Sequence, residues 1–236
     1  MLRKILCAML VAVLPTLACC ATQSAQDQQK YDCGDWNTFS SHKLELARPE
    51  KATSIRFFDE IGTCAAAGGK ACESVSHAIA KEDSVLLGQA YGGYRCVYSF
   101  GTQGSVGGWI TADEATTLNR VPIASLDKRW DGKWAEIGGD DTVTLASTGN
   151  KLHGKGEAYW PLADPPEDQF PGGPNLGAFE ATALPTSGTV VFAYADDQCS
   201  VRMTIVGDVL VVADNHQCGG MNVTFDGVYQ RERVGE

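Results

Sequence analysis

Residues 199–218 read CSVRMTIVGDVLVVADNHQC. Val201, Met203 and Ile205 alternate with other residues before Gly207-Asp208, and Val209, Val211 and Ala213 do so after it. A two-residue Gly-Asp connection between two period-two runs is a hairpin signal. Pairing symmetrically about that turn sets residues whose numbers sum to about 415 opposite one another. Cys199 then faces His216, with Cys218 two positions further on. Strand twist, or a bulge across 215–217, would bring the two sulfurs within bonding reach. A bond there closes a loop of 20 residues, a constraint of about 3 kcal/mol on chain-entropy grounds.

The corner that follows, DNHQCGGMNVTF at 214–225, holds the vocabulary of an active site: an acid, a histidine, a cysteine, amides and glycines. The disulfide assigns most of it structural work. An oxidised cysteine is no nucleophile, since reactivity belongs to the thiolate. Gly219 and Gly220 are expected to supply the positive φ angles that reverse the chain. Asn215 and Asn222 can hydrogen-bond turn backbone, and Val223, Phe225 and Val228 begin a closing strand. His216 and Met221 are left without a structural task. The corner therefore reads as a rigid turn, with no metal or cofactor expected.

Outward from this hairpin the pattern repeats. Eight candidate strands, 130–137, 142–148, 151–159, 178–184, 189–195, 199–206, 209–214 and 222–231, are short and bounded by Gly, Asp, Asn or Pro. That spacing predicts an eight-stranded antiparallel β-barrel or sandwich over 130–233. Its interior would be filled by side chains or one small ligand. The interruption is PLADPPEDQFPGGPNLG at 161–177, with five prolines and three glycines. It is expected as a long exposed loop, a frequent place for binding residues such as Asp168 and Phe170.

Gly132-Lys-Trp134 near the start of this region and Arg231 near its end resemble the opening and closing of a lipocalin barrel. The resemblance implies a guanidinium stacked on an indole face. The stretch CGGMNVTFDGVY, within a similarity spanning 130–231, resembles small periplasmic β-proteins, some of them like lysozyme inhibitors and immunity proteins against secreted wall hydrolases. That resemblance carries no catalytic residues and implies a blocking role.

Residues 33–118 read as a second, smaller β unit. Val85-Leu-Leu87 is a short apolar run, Gly92-Gly93 a turn, and Tyr94, Cys96, Tyr98 and Phe100 alternate as in a strand. A Gly-Gly-Trp-Ile strand and a short polar helical turn follow. This resembles the bacterial SH3-like domain, which implies a ligand platform of Tyr91, Tyr94, Tyr98 and Trp109 for peptidoglycan peptides or a small ligand. The fold class expected for the whole chain is all-β, a small SH3-like barrel followed by the eight-stranded one, with residues 119–129 as linker.

Residues 1–20 carry Arg3 and Lys4 before the apolar run ILCAMLVAVL. A basic region and an apolar core this short form a signal peptide, too brief to span a bilayer stably. TLAC and LACC each resemble a lipobox, which implies lipidation at Cys19 or Cys20. The polar segment 21–32 is expected as a tether. Of nine cysteines, six lie beyond the signal region, an even number in an exported chain, which reads as three disulfides. Cys64 with Cys72 and Cys33 with Cys96 are the preferred pairs in the first unit. The net charge is −10, and removing Arg3 and Lys4 leaves 17 basic against 29 acidic residues. Such a chain repels nucleic acid and attracts basic partners.

Catalytic patterns are thin: no zinc helix motif, nucleophile elbow or phosphate loop is present. The pairs Asp140-Asp141 and Asp196-Asp197 are expected on opposite strand faces, and Glu157 and Glu180 as solvent-facing charges. The expected function is non-enzymatic: an envelope protein, periplasmic and lipid-anchored to the outer membrane or otherwise secreted, that inhibits a basic peptidoglycan hydrolase or confers immunity to it. Its contact residues would be Asn215, His216, Gln217, Gly219, Gly220 and Met221 with Asp168 and Phe170. The alternative is a peptidoglycan- or small-ligand-binding module. Membrane contact would come only through the lipid anchor, and no nucleic acid partner is expected.

Overall fold

The computed structural model describes residues 33–58, 73–91, 93–101, 104–118, 126–193 and 198–232. The expected signal peptide, its lipidation site at Cys19 or Cys20, the tether, Asp196-Asp197 and the Cys64–Cys72 pair lie outside the described residues. The chain is all-β. One short helix, α1 (Trp36–Ser41), is capped by Asp35, whose side chain accepts a hydrogen bond from the Thr38 N–H.

Seven strands form the first sheet: β1 (Glu45–Pro49), β2 (Thr53–Phe58), β3 (Glu73–Ile79), β4 (Val85–Tyr91), β5 (Tyr94–Gly101), β6 (Gly104–Thr111) and β7 (Ala115–Thr117), in the order β3-β2-β6-β5-β4-β1-β7. It curls into a half-barrel around Ile55, Ile79, Val85, Leu87, Val97 and Ile110. The polar stretch expected as a helical turn makes only a tight turn, Glu114 N–H to Thr111 carbonyl, before β7 pairs with β1. Its Thr-rich end prefers a strand once a partner edge is present.

The second sheet has eight strands: β8 (Gly132–Glu136), β9 (Thr142–Thr148), β10 (Lys151–Trp160), β11 (Asn175–Ala183), β12 (Thr189–Ala193), β13 (Ser200–Val206), β14 (Val209–Asp214) and β15 (Gly227–Arg231). Neighbours in sequence pair antiparallel except β11 and β12, and β15 returns to pair with β8. The barrel is nearly closed, with β11 and β12 as its two edges. The β13–β14 register runs from Val201↔Asp214 to Val206↔Val209, as symmetry about Gly207-Asp208 requires. Disulfides join Cys199 to Cys218 and Cys33 to Cys96. Two such bonds belong to an oxidising, extracytoplasmic setting, and among the described residues no helix is long and apolar enough to cross a membrane.

Side chains fill the barrel. Trp134, Met203 and Tyr229 are buried there, and the Phe179 ring packs 5.7 Å from Phe192 and 5.1 Å, edge-on, from Phe225. Gly154 and Gly156 on β10 provide the room: a Cβ at Gly154 would sit 2.6 Å from the Phe192 ring, and one at Gly156 would strike Phe179. At the base, the Arg231 guanidinium carbon lies 4.5 Å from the Trp134 ring centroid, the stacking that the terminal arginine implied.

The two sheets share a core. Val206, Val209, Val211 and Val228, on the outer barrel face, pack against Phe39, Leu44, Leu46, Leu86, Cys96 and Trp109. All six residues of β14 are consequently buried. Helix α1 lies against this strand, its Trp36 indole N–H donating to the Val212 carbonyl at 2.8 Å.

Candidate functional site

The meander brings the connections 137–141, 161–174 and 215–226 to one barrel end, since each follows the final residue of β8, β10 or β14. Two of these are the loops singled out from sequence, and the structure stitches them together. Gly177 and Gly219 form an isolated antiparallel bridge. The Ala178 N–H donates to the Cys218 carbonyl (3.1 Å), the Gly220 N–H to the Leu176 carbonyl (3.0 Å), and Asn175 Nδ2 to the Met221 carbonyl (2.7 Å). The third connection joins through Ala163 N–H, which donates to Asp140 Oδ2 at 3.0 Å.

The glycines work differently from expectation. Neither Gly219 nor Gly220 has positive φ; His216 (φ 58°) and Asn222 (φ 64°) carry the left-handed turns. Gly219 is required for close approach, because a Cβ there would lie 2.6 Å from the Gly177 Cα and 2.9 Å from the Leu176 carbonyl oxygen. Asn215 does tie the turn down, accepting from Ser200 N–H and donating to the Gln198 carbonyl.

This rim has a distinct chemistry. Trp160, Leu162, Leu176 and Met221 are four of the seven exposed large apolar residues among those described, and Met221 is 77% exposed. Phe170 stands edge-on to Trp160 at 5.9 Å, while Asp168 and Gln217 face solvent. Segments 137–141, 160–176 and 215–226 contain six acids, Asp140, Asp141, Asp164, Glu167, Asp168 and Asp226, and no lysine or arginine. Lys128, Arg129, Lys133, Lys151 and Arg231 lie toward the opposite end, among Asp127, Asp131 and Glu232, with Arg129 paired to Asp127 and Lys133 to Glu232. The rim segments themselves are apolar and acidic.

Two carboxyl groups beneath the rim were not anticipated. Asp140 and Asp141 sit in a turn and not on a strand, yet their side chains still point apart, Asp140 outward and Asp141 inward. Asp141 points inward, 6% exposed, and accepts from the Tyr159 N–H at 2.9 Å. Burial, then the charge of Glu136, pushes its carboxyl up to about 7; burial, reinforced by Asp140, does the same to Glu136. Both carboxyls therefore bind a proton near neutrality, chiefly because burial disfavours their charged forms. Glu157 and Glu180 remain on the outer surface: Glu157 pairs with Lys155 (3.5 Å) and Glu180 with His153 (3.2 Å).

The corner behind the turn converges on three groups. Asp214, fully buried, accepts from the N–H groups of His216 and Phe225 and from the Thr224 hydroxyl. Asp226 accepts from the Asp214 N–H and meets His216 Nε2 at 2.9 Å. One donor atom from each of Asp214, His216 and Asp226 falls within 4.8 Å of the others, a spacing a metal ion could share. The carboxylates are already committed to five protein donors, so the arrangement reads as a turn-stabilising network. Asn37 of α1 reaches the same corner, its Nδ2 lying 3.2 Å from His216 Nε2 and 3.4 Å from Asp226 Oδ2.

The aromatic platform is arranged otherwise. Trp109 is 3% exposed in the shared core. Tyr98 packs in a three-ring cluster with Trp36 (4.6 Å) and Phe39 (5.4 Å), which also touch each other. Tyr91 and Tyr94 face each other across the β4–β5 turn and pack against the same core. Sequence reasoning missed Trp160, Leu162 and Leu176; the signal present was an aromatic and a leucine flanking Pro161 at the loop's start.

No family model, curated protein or solved structure matches the chain.

Proposed function

We propose that the chain is an exported, non-enzymatic envelope protein that inhibits, or confers immunity to, a basic peptidoglycan hydrolase. The observation that carries this reading is the rim: four exposed apolar side chains set among six acids with no lysine or arginine. An exposed apolar cluster rimmed by charge is the anatomy of a protein-docking surface, with Trp160 as its aromatic anchor. The charge supplies steering toward a cationic partner. The Gly177–Gly219 bridge and the Cys199–Cys218 bond hold the loops before binding, which lowers the ordering cost.

Residues 33–118 are read as an SH3-like module docked on the barrel side, supported by the positive-φ turn at Gly93 and the Trp109-bearing strand. The signal region assigns the chain to the periplasm, anchored by lipid at Cys19 or Cys20. Purified protein should inhibit lysozyme-like or amidase activity at micromolar concentration, and added salt should weaken the effect. Unchanged activity of both enzyme classes at micromolar excess would sink the proposal.

A further inference from the structure

His216 Nε2 has two partners it cannot satisfy at once. Asp226 Oδ2, at 2.9 Å, needs a proton on that nitrogen; Asn37 Nδ2, at 3.2 Å, needs a lone pair there. Turning the Asn37 amide over does not resolve the conflict, because its oxygen would then face Asp226 Oδ2 at 3.4 Å, acceptor against acceptor. The two partners belong to different parts of the fold: Asp226 closes the rim corner, and Asn37 sits on α1.

We propose that His216 is a proton-operated latch, bonded through Nε2 to Asp226 when the ring is protonated and to Asn37 of α1 when it is neutral. This deepens the binding reading, on which it rests for its functional meaning, because His216 lies in the same connection as Met221. With the proton present, ring and rim corner form one charge-assisted unit and α1 keeps only the weaker amide bond to Asp226. Loss of the Nε2 proton, which leaves the neutral ring as its Nδ1–H tautomer, removes the ion pair, gives Asn37 an acceptor, and transfers the ring's restraint to the first sheet's helix.

The surroundings move the transition above the ordinary imidazole value. Asp214 and Asp226 face the ring from the barrel, and Asp35 faces it from the start of α1. The hydrogen bond to Asp226 comes first in raising the imidazole above its ordinary value; burial opposes it, and the three acids' charges add to the rise. Burial pushes Asp226 up, but the Asp214 N–H and His216 itself draw it down. Arg202 and Tyr98 lie within electrostatic reach of Asp226. The Trp36–Val212 bond holds α1 in place through either state, so the switch changes restraint and not docking.

The test uses the purified chain without any hydrolase, so its outcome is independent of partner identity. The His216 ring is titrated by NMR in wild type, N37A and D226N. The expected results are a raised value in wild type, a fall of roughly one unit in D226N, and a further rise in N37A, because the neutral ring has lost its donor. Protection of the α1 amides, corrected for base-catalysed intrinsic exchange, should increase as pH rises through the midpoint in wild type and lose that dependence in N37A. A His216 midpoint unmoved by N37A, or α1 exchange with no step at the midpoint, would overturn the latch and leave a simple surface ion pair.

Discussion

Gly219 and Gly177 meet backbone to backbone, so that a single methyl on Gly219 would land 2.6 Å from the Gly177 Cα. The contact splices the disulfide corner onto the first residues of β11. Gly219→Ala must separate the two segments, and we expect a loss of about 2 kcal/mol by denaturant titration. Gly101→Ala, where nothing lies within 4 Å of the new carbon, should change stability by less than about 0.5 kcal/mol.

Each disulfide restricts the unfolded chain according to the loop it closes. Sequence separations are 19 for Cys199–Cys218 and 63 for Cys33–Cys96. Replacing both cysteines of a pair by serine should cost about 3 kcal/mol for the first and about 4 kcal/mol for the second. Urea midpoints of the two double variants give the comparison; equal stability to wild type would contradict it.

Asp141 and Glu136 make the barrel sensitive to alkali. Burial raises both carboxyls to about 7 in the folded chain, from 3.8 and 4.5. Their stabilising contribution is complete below pH 4 and is lost as pH rises through 7. Asp141→Asn keeps an acceptor for the Tyr159 N–H and cannot ionise. It should melt later than wild type at pH 8, by about 2 kcal/mol, and match it at pH 4.

Glu114 behaves in the opposite sense. Burial would raise its carboxyl, but the Arg56 guanidinium at 2.6 Å, the Thr111 N–H and hydroxyl, and the Thr53 hydroxyl overcome this and hold it at about 2. Its contribution is present above about pH 4.5 and lost as pH falls toward 2. Glu114→Gln should cost about 2 kcal/mol at pH 7 and little at pH 2, measured by thermal melts at the two values.

On the rim, Trp160→Ala and Met221→Ala should each weaken inhibition of a wall hydrolase by roughly tenfold or more, as truncation of a central anchor does. Leu184→Ala, also exposed but at the far end of β11, should leave inhibition unchanged. Equal effects from all three variants would place the contact surface elsewhere.

The sequence by itself determined the all-β class, the strands flanking Gly207-Asp208 with their register, and the Cys199–Cys218 bond. These follow from period-two alternation, turn chemistry and cysteine count, all properties of short stretches. Cys33–Cys96 is the preferred one of three pairings, and the Arg231–Trp134 stack is implied by the lipocalin resemblance; the structure contains both. Only the tertiary structure decided why β14 is apolar on both sides: its outer face, Val209 and Val211, is covered by residues more than a hundred positions away. It also decided that Gly219 serves close approach and not turning, that Asp141 points inward, and that His216 is shared between Asp226 and Asn37. Such facts depend on which surfaces meet across the fold. Local spacing encodes where a side chain lies on its own strand, but carries no record of what will be packed against it.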